Sequence, residues 1–298
     1  GTIIMIEEKK LFNRIASFIL AIVMVVSVFA ITPPQEVEAA TKALSFKAKG
    51  KTTVTISDKN CWYVTKKVNY IKFVPGVTGY ITLNIKNNSS IQGGAYGSLT
   101  FCNSKKQPIG RKDEYFDSGV SSSQSYQRIK TYGVTKGKTY YFKVKSYGGI
   151  KVTAEVKSVK KGSNTSKTKA KTLSKNKDVT GVILANDKKV DWYKIKLTKK
   201  QKINLTYKVK TNGARLSGSS IYYDNGIKIT LCKSNGKAIG GSTLASLKYP
   251  SDTITYYTKV TNTFTGQSWQ EGLNKGTYYV RVERYNASSS GSYTIKWK

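Results

Sequence analysis

Residues 188–197 read KKVDWYKIKL, and residues 66–75 read KKVNYIKFVP. In the first, Tyr193, Ile195 and Leu197 share a parity, with Lys194 and Lys196 between them. In the second, Ile71 and Phe73 alternate with Lys72. A period of two is the mark of a strand with one face buried and one in water. Two further segment pairs match in the same order. LTFCNSKKQPIG (99–110) matches ITLCKSNGKAIG (229–240), and TKGKTYYFKVKSY (135–147) matches LNKGTYYVRVERY (273–285). The offset between matched residues grows from 122 to 130 to 138, as it does when loops lengthen but order is kept. Three ordered matches indicate a duplicated domain, with a period too long for a solenoid.

The same alternation runs through the rest of the chain. Ile81, Leu83 and Ile85 oppose Thr82, Asn84 and Lys86; Ile203, Leu205, Tyr207 and Val209 oppose Lys202, Asn204, Thr206 and Lys208. Tyr293, Ile295 and Trp297 alternate with Thr294, Lys296 and Lys298. Turn-rich intervals separate these runs, as an antiparallel β-sandwich requires. The expected organisation is a signal segment over 1–39, a β-sandwich domain over 41–161 and a second over 163–298, the fold class being all-β. KKGSNTSK (160–167) is polar and aperiodic and is expected to be an exposed connector. Residues 211–226 and 243–270 read as loop-rich insertions in the second copy, where individual function tends to reside.

At the N-terminal end a basic head (Lys9, Lys10, Arg14) precedes an apolar run over 15–31, broken only by Ser17 and Ser27. Pro33, Pro34 and Val37-Glu38-Ala39 follow. This is the pattern of a secretory signal helix cleaved after Ala39. An uncleaved membrane anchor is the alternative, the run being close to the shortest spanning length. Without residues 1–39, the chain carries 48 Lys and Arg against 12 Asp and Glu. Only six basic residues in the whole chain are Arg. Lysine is a hydrated point charge rather than a planar fork, so the coat implies diffuse attraction to polyanions more than specific reading. Histidine is absent, which excludes His-based triads and His-ligated zinc. Ser-x-x-Lys spacings, such as Ser234/Lys237, are chance matches in so Ser- and Lys-rich a chain.

The second copy carries NTSKTKAKTL, VTGVILANDKKVDWYKIKLTKKQKINL, ITLCKSNGKAI, LNKGTYYVRVERY and GSYTIKW in order. This series resembles the bacterial pre-peptidase C-terminal domain over about residues 163–298. The first copy resembles it more weakly, with Asn69 where the family prefers Asp and Phe142-Lys143-Val144 in place of Val-Arg-Val. Lys189 stands where the family's first Asp would be. The resemblance implies jelly-roll-like β-sandwiches in an accessory role beside secreted peptidases. Relatives in that family bind calcium, collagen or polysaccharide.

Asp191-Trp192-Tyr193 is the strongest local motif. Tyr193 is expected to face the core and Trp192 to face outward or under a loop. Asp191 is expected to bond a turn amide. Tyr140 and Tyr278 head matched Tyr-Tyr pairs with one ring in and one out. Tyr222, Tyr223, Tyr256, Tyr257 and Trp269 lie in the second copy's insertions and form the expected contact surface; ordinary strand-forming tyrosine is the competing reading. Calcium needs several carboxylates. The nearest useful acids are Asp187 and Asp191, with Asp224, among lysines that oppose a divalent cation, so no cofactor is expected. Cys61 could reach Cys102 in a disulfide within the first copy, and Cys232 reads as apolar filler. No catalytic group is expected. The expected role is a bacterial secreted or cell-envelope binding or adhesion protein, not membrane-spanning in its mature form. Its expected partners are an anionic polymer, a glycan, extracellular matrix or a host surface, with no specific nucleic acid. The alternatives are an accessory module for a secreted peptidase acting in trans and a structural envelope protein without a ligand.

Overall fold

The computed structural model describes residues 36–39, 41–44, 50–91, 95–160, 162–222 and 225–298. The signal helix expected before Glu36 lies outside these residues.

Nine strands make up the first half: β1 (Lys42–Leu44), β2 (Gly50–Ile56), β3 (Asn69–Phe73), β4 (Gly79–Asn87), β5 (Tyr96–Cys102), β6 (Glu114–Asp117), β7 (Ile129–Val134), β8 (Tyr140–Ser146) and β9 (Ile150–Ser158). They form two sheets, β1-β3-β8-β5-β6 and β2-β9-β4-β7. The second half contains β10 (Lys171–Thr172), β11 (Val179–Ile183), β12 (Asp191–Leu197), β13 (Ile203–Thr211), β14 (Arg215–Ser217), β15 (Ser220–Tyr222) and β16 (Ile227–Cys232), then β17 (Thr243–Ala245), β18 (Ser251–Tyr256), β19 (Thr258–Thr261), β20 (Ser268–Glu271), β21 (Gly276–Arg284) and β22 (Gly291–Trp297). Its main sheets are β10-β12-β21-β16-β17 and β11-β22-β13-β18, with β14-β15 and β19-β20 as separate two-stranded sheets. If these two hairpins are set aside, the strand orders of the halves coincide. Register coincides too. Ile71 stands opposite Phe142, as Tyr193 stands opposite Val280. Phe101 also stands opposite Phe142, as Leu231 stands opposite Val280. The sheets are antiparallel with one exception in each half: edge strand β1 runs parallel to β3, and β10 runs parallel to β12.

Alternation accounts for both cores. Along β4 and β8 every second side chain is buried, and β9 and β13 follow the same rule. Ile71, Phe73, Phe101 and Phe142 from one sheet meet Ile81, Leu83, Tyr132 and Val152 from the other. The Phe73 and Phe142 rings stack at 5.1 Å, and Phe101 reaches Tyr132 across the sheets at 4.8 Å. The second core repeats this with Tyr193, Ile195, Leu231 and Val280 against Leu205, Tyr207, Tyr293 and Ile295.

The halves meet along β7, which is buried on both faces apart from its first residue. Gly133 donates its N–H to Ser290 Oγ at 2.9 Å, and a Cβ on it would stand 2.5 Å from the Ile183 carbonyl oxygen. Close approach of the second half therefore requires glycine there. Tyr115 N–H donates to the Ala214 carbonyl at 2.8 Å, bridging β6 to the second half. Glu114 lies fully inside this junction. It accepts from the Tyr132 hydroxyl, from Asn212 Nδ2 at 2.6 Å and from Asn225 Nδ2 at 3.1 Å. Lys130 is also fully buried, and its ammonium has no hydrogen-bond acceptor among the described residues. Burial pushes the Glu114 carboxyl up to about 7, against the pull of Tyr132, Lys130 and Asn212. Burial likewise pulls Lys130 down to about 8. The expected exposed connector is only partly so. Asn164 is buried, donates from Nδ2 to the Trp192 carbonyl at 3.0 Å, and accepts the Trp192 N–H at 2.8 Å. A polar residue that satisfies strand-edge groups in this way is held inside despite its composition.

Adjacent residues of β4 test the alternation. Ile85→Ala should cost roughly 2–5 kcal/mol, and Lys86→Ala should change stability by less than about 0.5 kcal/mol, as read by denaturant unfolding. The junction carries a pH signature. Between 4.5, the ordinary carboxyl value, and about 7, folded Glu114 keeps a proton that the unfolded chain releases. Stability should therefore fall as pH rises through that window. It should rise again above about 8, where folded Lys130 has lost a proton that the unfolded chain keeps up to 10.5. Unfolding curves of Glu114→Gln against the native chain should show the lower limb flattened.

Candidate functional site

The Asp191-Trp192-Tyr193 motif opens β12, and its parity sends Tyr193 inward and Trp192 outward. Tyr193 meets Tyr293 of the opposite sheet hydroxyl to hydroxyl at 2.7 Å, and the Tyr293 hydroxyl donates to Asp191 Oδ2 at 2.6 Å. Asp191 therefore does not bond a turn amide. It ends an inter-sheet chain of hydroxyls, and its burial raises its carboxyl above the ordinary value. A tyrosine hydroxyl taken into a core needs such a partner, and a carboxylate on the facing sheet supplies one. Trp192 is half-buried and packs edge-on to Tyr279 at 6.3 Å, with the Arg281 guanidinium 5.8 Å from its ring. The first half repeats this outward pair with Tyr70 and Tyr141, 6.1 Å apart, and Lys106 at 4.5 Å from the Tyr70 ring.

Beside Asp191 a cavity of about 310 Å³ opens between the halves. Thr78 and Thr135 contribute from the first half; Asn164, Lys171, Asp187 and Lys189 contribute from the second. A shallower groove of about 830 Å³ shares Thr135 and Asp187 with it and runs past Ser104, Lys138 and Tyr140. The Asp187 carboxylate accepts the Lys189 N–H at 3.1 Å and stands 3.9 Å from its ammonium. Among the described residues no three His, Cys, Asp or Glu side chains gather as a metal site. Asp224 lies outside those residues. Tyr140 is buried, and its hydroxyl accepts the Thr135 N–H at 3.1 Å. Tyr278 is half-buried and donates to the Asn274 carbonyl at 2.9 Å. Both tyrosines tie the turn that leads into their strand.

The residues expected to form a contact surface separate. Tyr256 is only 6% exposed, because it shares a parity with Ile254 and pairs with Ile203 at the edge of the second core. Tyr257, one residue on, is 36% exposed, with the Lys202 ammonium 5.7 Å from its ring. Lys202 also donates to Gln270 at 3.0 Å, which ties the root of the hairpin beside Tyr257. Trp269 is 46% exposed and its indole donates to Glu271 at 3.0 Å. Tyr222 is 45% exposed on the other inserted hairpin, whose β14 lies against β6 at the junction. Tyr223 lies outside the described residues.

Three features escaped the sequence reading. Phe264, at the tip between β19 and β20, is 97% exposed. A single aromatic in a Thr-, Asn- and Gly-rich turn was its only signal. Tyr96, Tyr147 and Tyr63 stack in a row at 4.8 and 4.0 Å, with Lys66 at 4.9 Å from the last ring. These residues are far apart in sequence. Asp58 accepts from Ser89 Oγ and from the N–H groups of Ser90 and Gly149, which hold its carboxyl down to about 2.

The expected disulfide is not formed. Cys61 is free and its thiol points to the Tyr147 carbonyl at 3.6 Å; Cys102 is free and points to the Thr100 carbonyl at 3.5 Å. Each thiol packs as a small apolar group at a different place in the sandwich, and burial pushes Cys102 up to about 11. Glu38, on the signal side of the expected cleavage point, bridges to Val68 and pairs with Lys106 at 2.6 Å.

No family model and no curated protein matches the sequence. Among solved structures the chain is similar to the pre-peptidase C-terminal domain of a collagenase from Bacillus anthracis, at 15% identity and a TM-score of 0.29. That similarity covers 43% of this chain and 94% of the other. It is also similar to tripeptidyl peptidase 2 at 10% identity and a TM-score of 0.28, over 87% of this chain and 24% of that one. No helix among the described residues is long and apolar enough to cross a membrane.

Proposed function

We propose that the chain is an exported, non-catalytic binding protein whose β-sandwich faces hold anionic polymers such as teichoic acids or acidic glycans. The observation that carries this reading is the lysine set on the outward sides of the sheets. Lys51, Lys86, Lys151 and Lys157 line one outer face of the first half; Lys196, Lys208 and Lys210 are exposed on the second. Acids do not balance them. Glu155, Asp178, Glu271 and Glu283 are already each within ion-pair distance of a Lys.

Lys86 and Lys151 sit directly opposite one another on β4 and β9. Like charges at that register repel and lower stability. A polyanion laid across the sheet turns the repulsion into attraction, which no ion pair among the described residues does. The outward aromatic pairs, Tyr70 with Tyr141 and Trp192 with Tyr279, supply edges and faces for sugar or polymer contact beside the cations. The resemblance in sequence to pre-peptidase C-terminal domains, some of which bind polysaccharide or collagen, supports the same reading and export as its setting.

Binding of the protein to a poly(glycerol phosphate) chain, followed by calorimetry, should weaken more than about tenfold between ~0.1 and ~1 M salt, as the screening length falls from ~10 to ~3 Å. Lys86→Gln with Lys151→Gln should weaken it further at low salt while raising stability by a few tenths of a kcal/mol. Affinity that does not change with salt would remove the proposal.

A further inference from the structure

We propose that the β19–β20 hairpin is a membrane-docking element that seats Phe264 at the acyl–headgroup boundary of an anionic phospholipid bilayer. The hairpin belongs to neither main sheet of its half and has no counterpart in the first half. Its turn is held in a set shape. Asn262 Oδ1 accepts the N–H groups of Phe264 at 2.9 Å and Thr265 at 3.1 Å, and Gly266, at φ +70°, donates to the Asn262 carbonyl at 2.9 Å. This turn presents the Phe264 ring almost entirely to water. Val260 stands opposite Trp269 below the tip, on the face that carries Thr258 and Glu271 nearer the base, and Tyr257 lies at the root. Gln201 pairs with Leu273 beneath it, which brings Lys199, Lys200 and Lys275 to the base beside Lys202 and Lys259. Of these, Lys200 is paired with Glu271.

From tip to base come an apolar ring, then Trp269 with Val260, then a surplus of lysine around Tyr257 at the root. A bilayer surface has the matching order of acyl boundary, interface and phosphates. A hydrated anionic polymer has no apolar phase into which a single projecting phenyl ring can be buried, and burial from water is what favours that ring. The tip is convex and carries one ring, which suits a soft phase better than a flat partner. The lysines serve this reading and the polymer reading alike; the apolar tip serves only this one.

The test uses the full chain with phosphatidylcholine vesicles, with and without phosphatidylglycerol, brominated in the acyl chains. The apolar run near the N-terminus is common to every variant, so differences between variants belong to the hairpin. On phosphatidylglycerol vesicles the native chain should lose more tryptophan emission than Trp269→Phe. Phe264→Ser should abolish that extra loss and weaken vesicle binding by roughly tenfold, the expected effect of removing one buried aromatic side chain from the interface. Phe264→Trp should retain binding. Phe264 touches little of the chain, so the fold does not depend on it. Equal quenching in the native chain and Trp269→Phe, or vesicle binding unchanged in Phe264→Ser, would overturn the proposal and leave adsorption by lysine alone. Loss of polymer binding in Phe264→Ser with vesicle binding intact would also overturn it. Polymer binding that survives when vesicle docking fails leaves the lysine-face reading standing.

Discussion

Strict alternation of apolar and polar side chains is the constraint on which the structure depends. A strand that is apolar on one face cannot stay in water, and a single sheet cannot hide that face. Two sheets closed over Phe73, Phe101, Phe142 and Tyr132 solve the problem in the first half; Tyr193, Tyr207, Tyr293 and Val280 do so in the second. Once inward positions are settled, outward positions no longer decide the fold. Lysine can occupy them at the cost of self-repulsion, which is a matter of association and solubility more than of architecture. Threonine keeps company with it there. Thr82 with Thr131, Thr180 with Thr294 and Thr206 with Thr253 are hydroxyl pairs on neighbouring strands at 2.9 to 3.0 Å. Such pairs add a modest stabilisation without adding charge.

The rule is broken along β7, whose second face would ordinarily meet solvent. There the second half covers Thr131 and Gly133, and at the same seam two ionisable groups on inward positions, Glu114 of β6 and Lys130 of β7, have lost their water. Burying a charge is costly unless donors surround it, and Glu114 is surrounded by Tyr132, Asn212 and Asn225. Gly213 leaves room for the carboxylate, since a Cβ on it would lie 2.5 Å from the Glu114 carboxyl carbon. Such a network adds little net stability, but its directional bonds admit one seating of the halves where an apolar contact would allow several.

Legibility divides along the same line. The period of two located the strands, and the matched segments 68–73 and 190–195 fall on β3 and β12, the second strands of equivalent sheets. Tyr193 inward and Trp192 outward followed from parity alone. Tyr256 was misplaced although its parity with Ile254 was available, because the Thr-rich run around it was read as a loop rather than as β18. Asp191 was assigned to a turn because its partner, Tyr293, lies 102 residues away, and no local spacing announces such a contact. Glu114 was invisible for a further reason. It shares the inward parity of Phe116 on β6, but its partners Tyr132, Asn212 and Asn225 lie far from it in sequence and no local spacing announces them. Cys61 and Cys102 were paired as two cysteines of one sandwich, whereas each thiol has a separate buried setting.

The halves differ most where difference costs the core least. In the first half residues 135–139 carry the chain from edge strand β7 to β8; in the second, residues 257–275 make the equivalent passage from β18 to β21 and include the β19–β20 hairpin. The insertion leaves the pairings beyond it unchanged. Tyr140 stands opposite Phe73, and Tyr278, at the matched position, stands opposite Ile195. Added length at a place where the chain already reverses raises the closure entropy only slowly and disturbs no buried contact. The second half therefore carries Trp269 and Phe264 on a separate projection while its sheets keep the pairing seen in both halves. A single residue added inside β12 or β21 would instead shift every side chain beyond it to the opposite face.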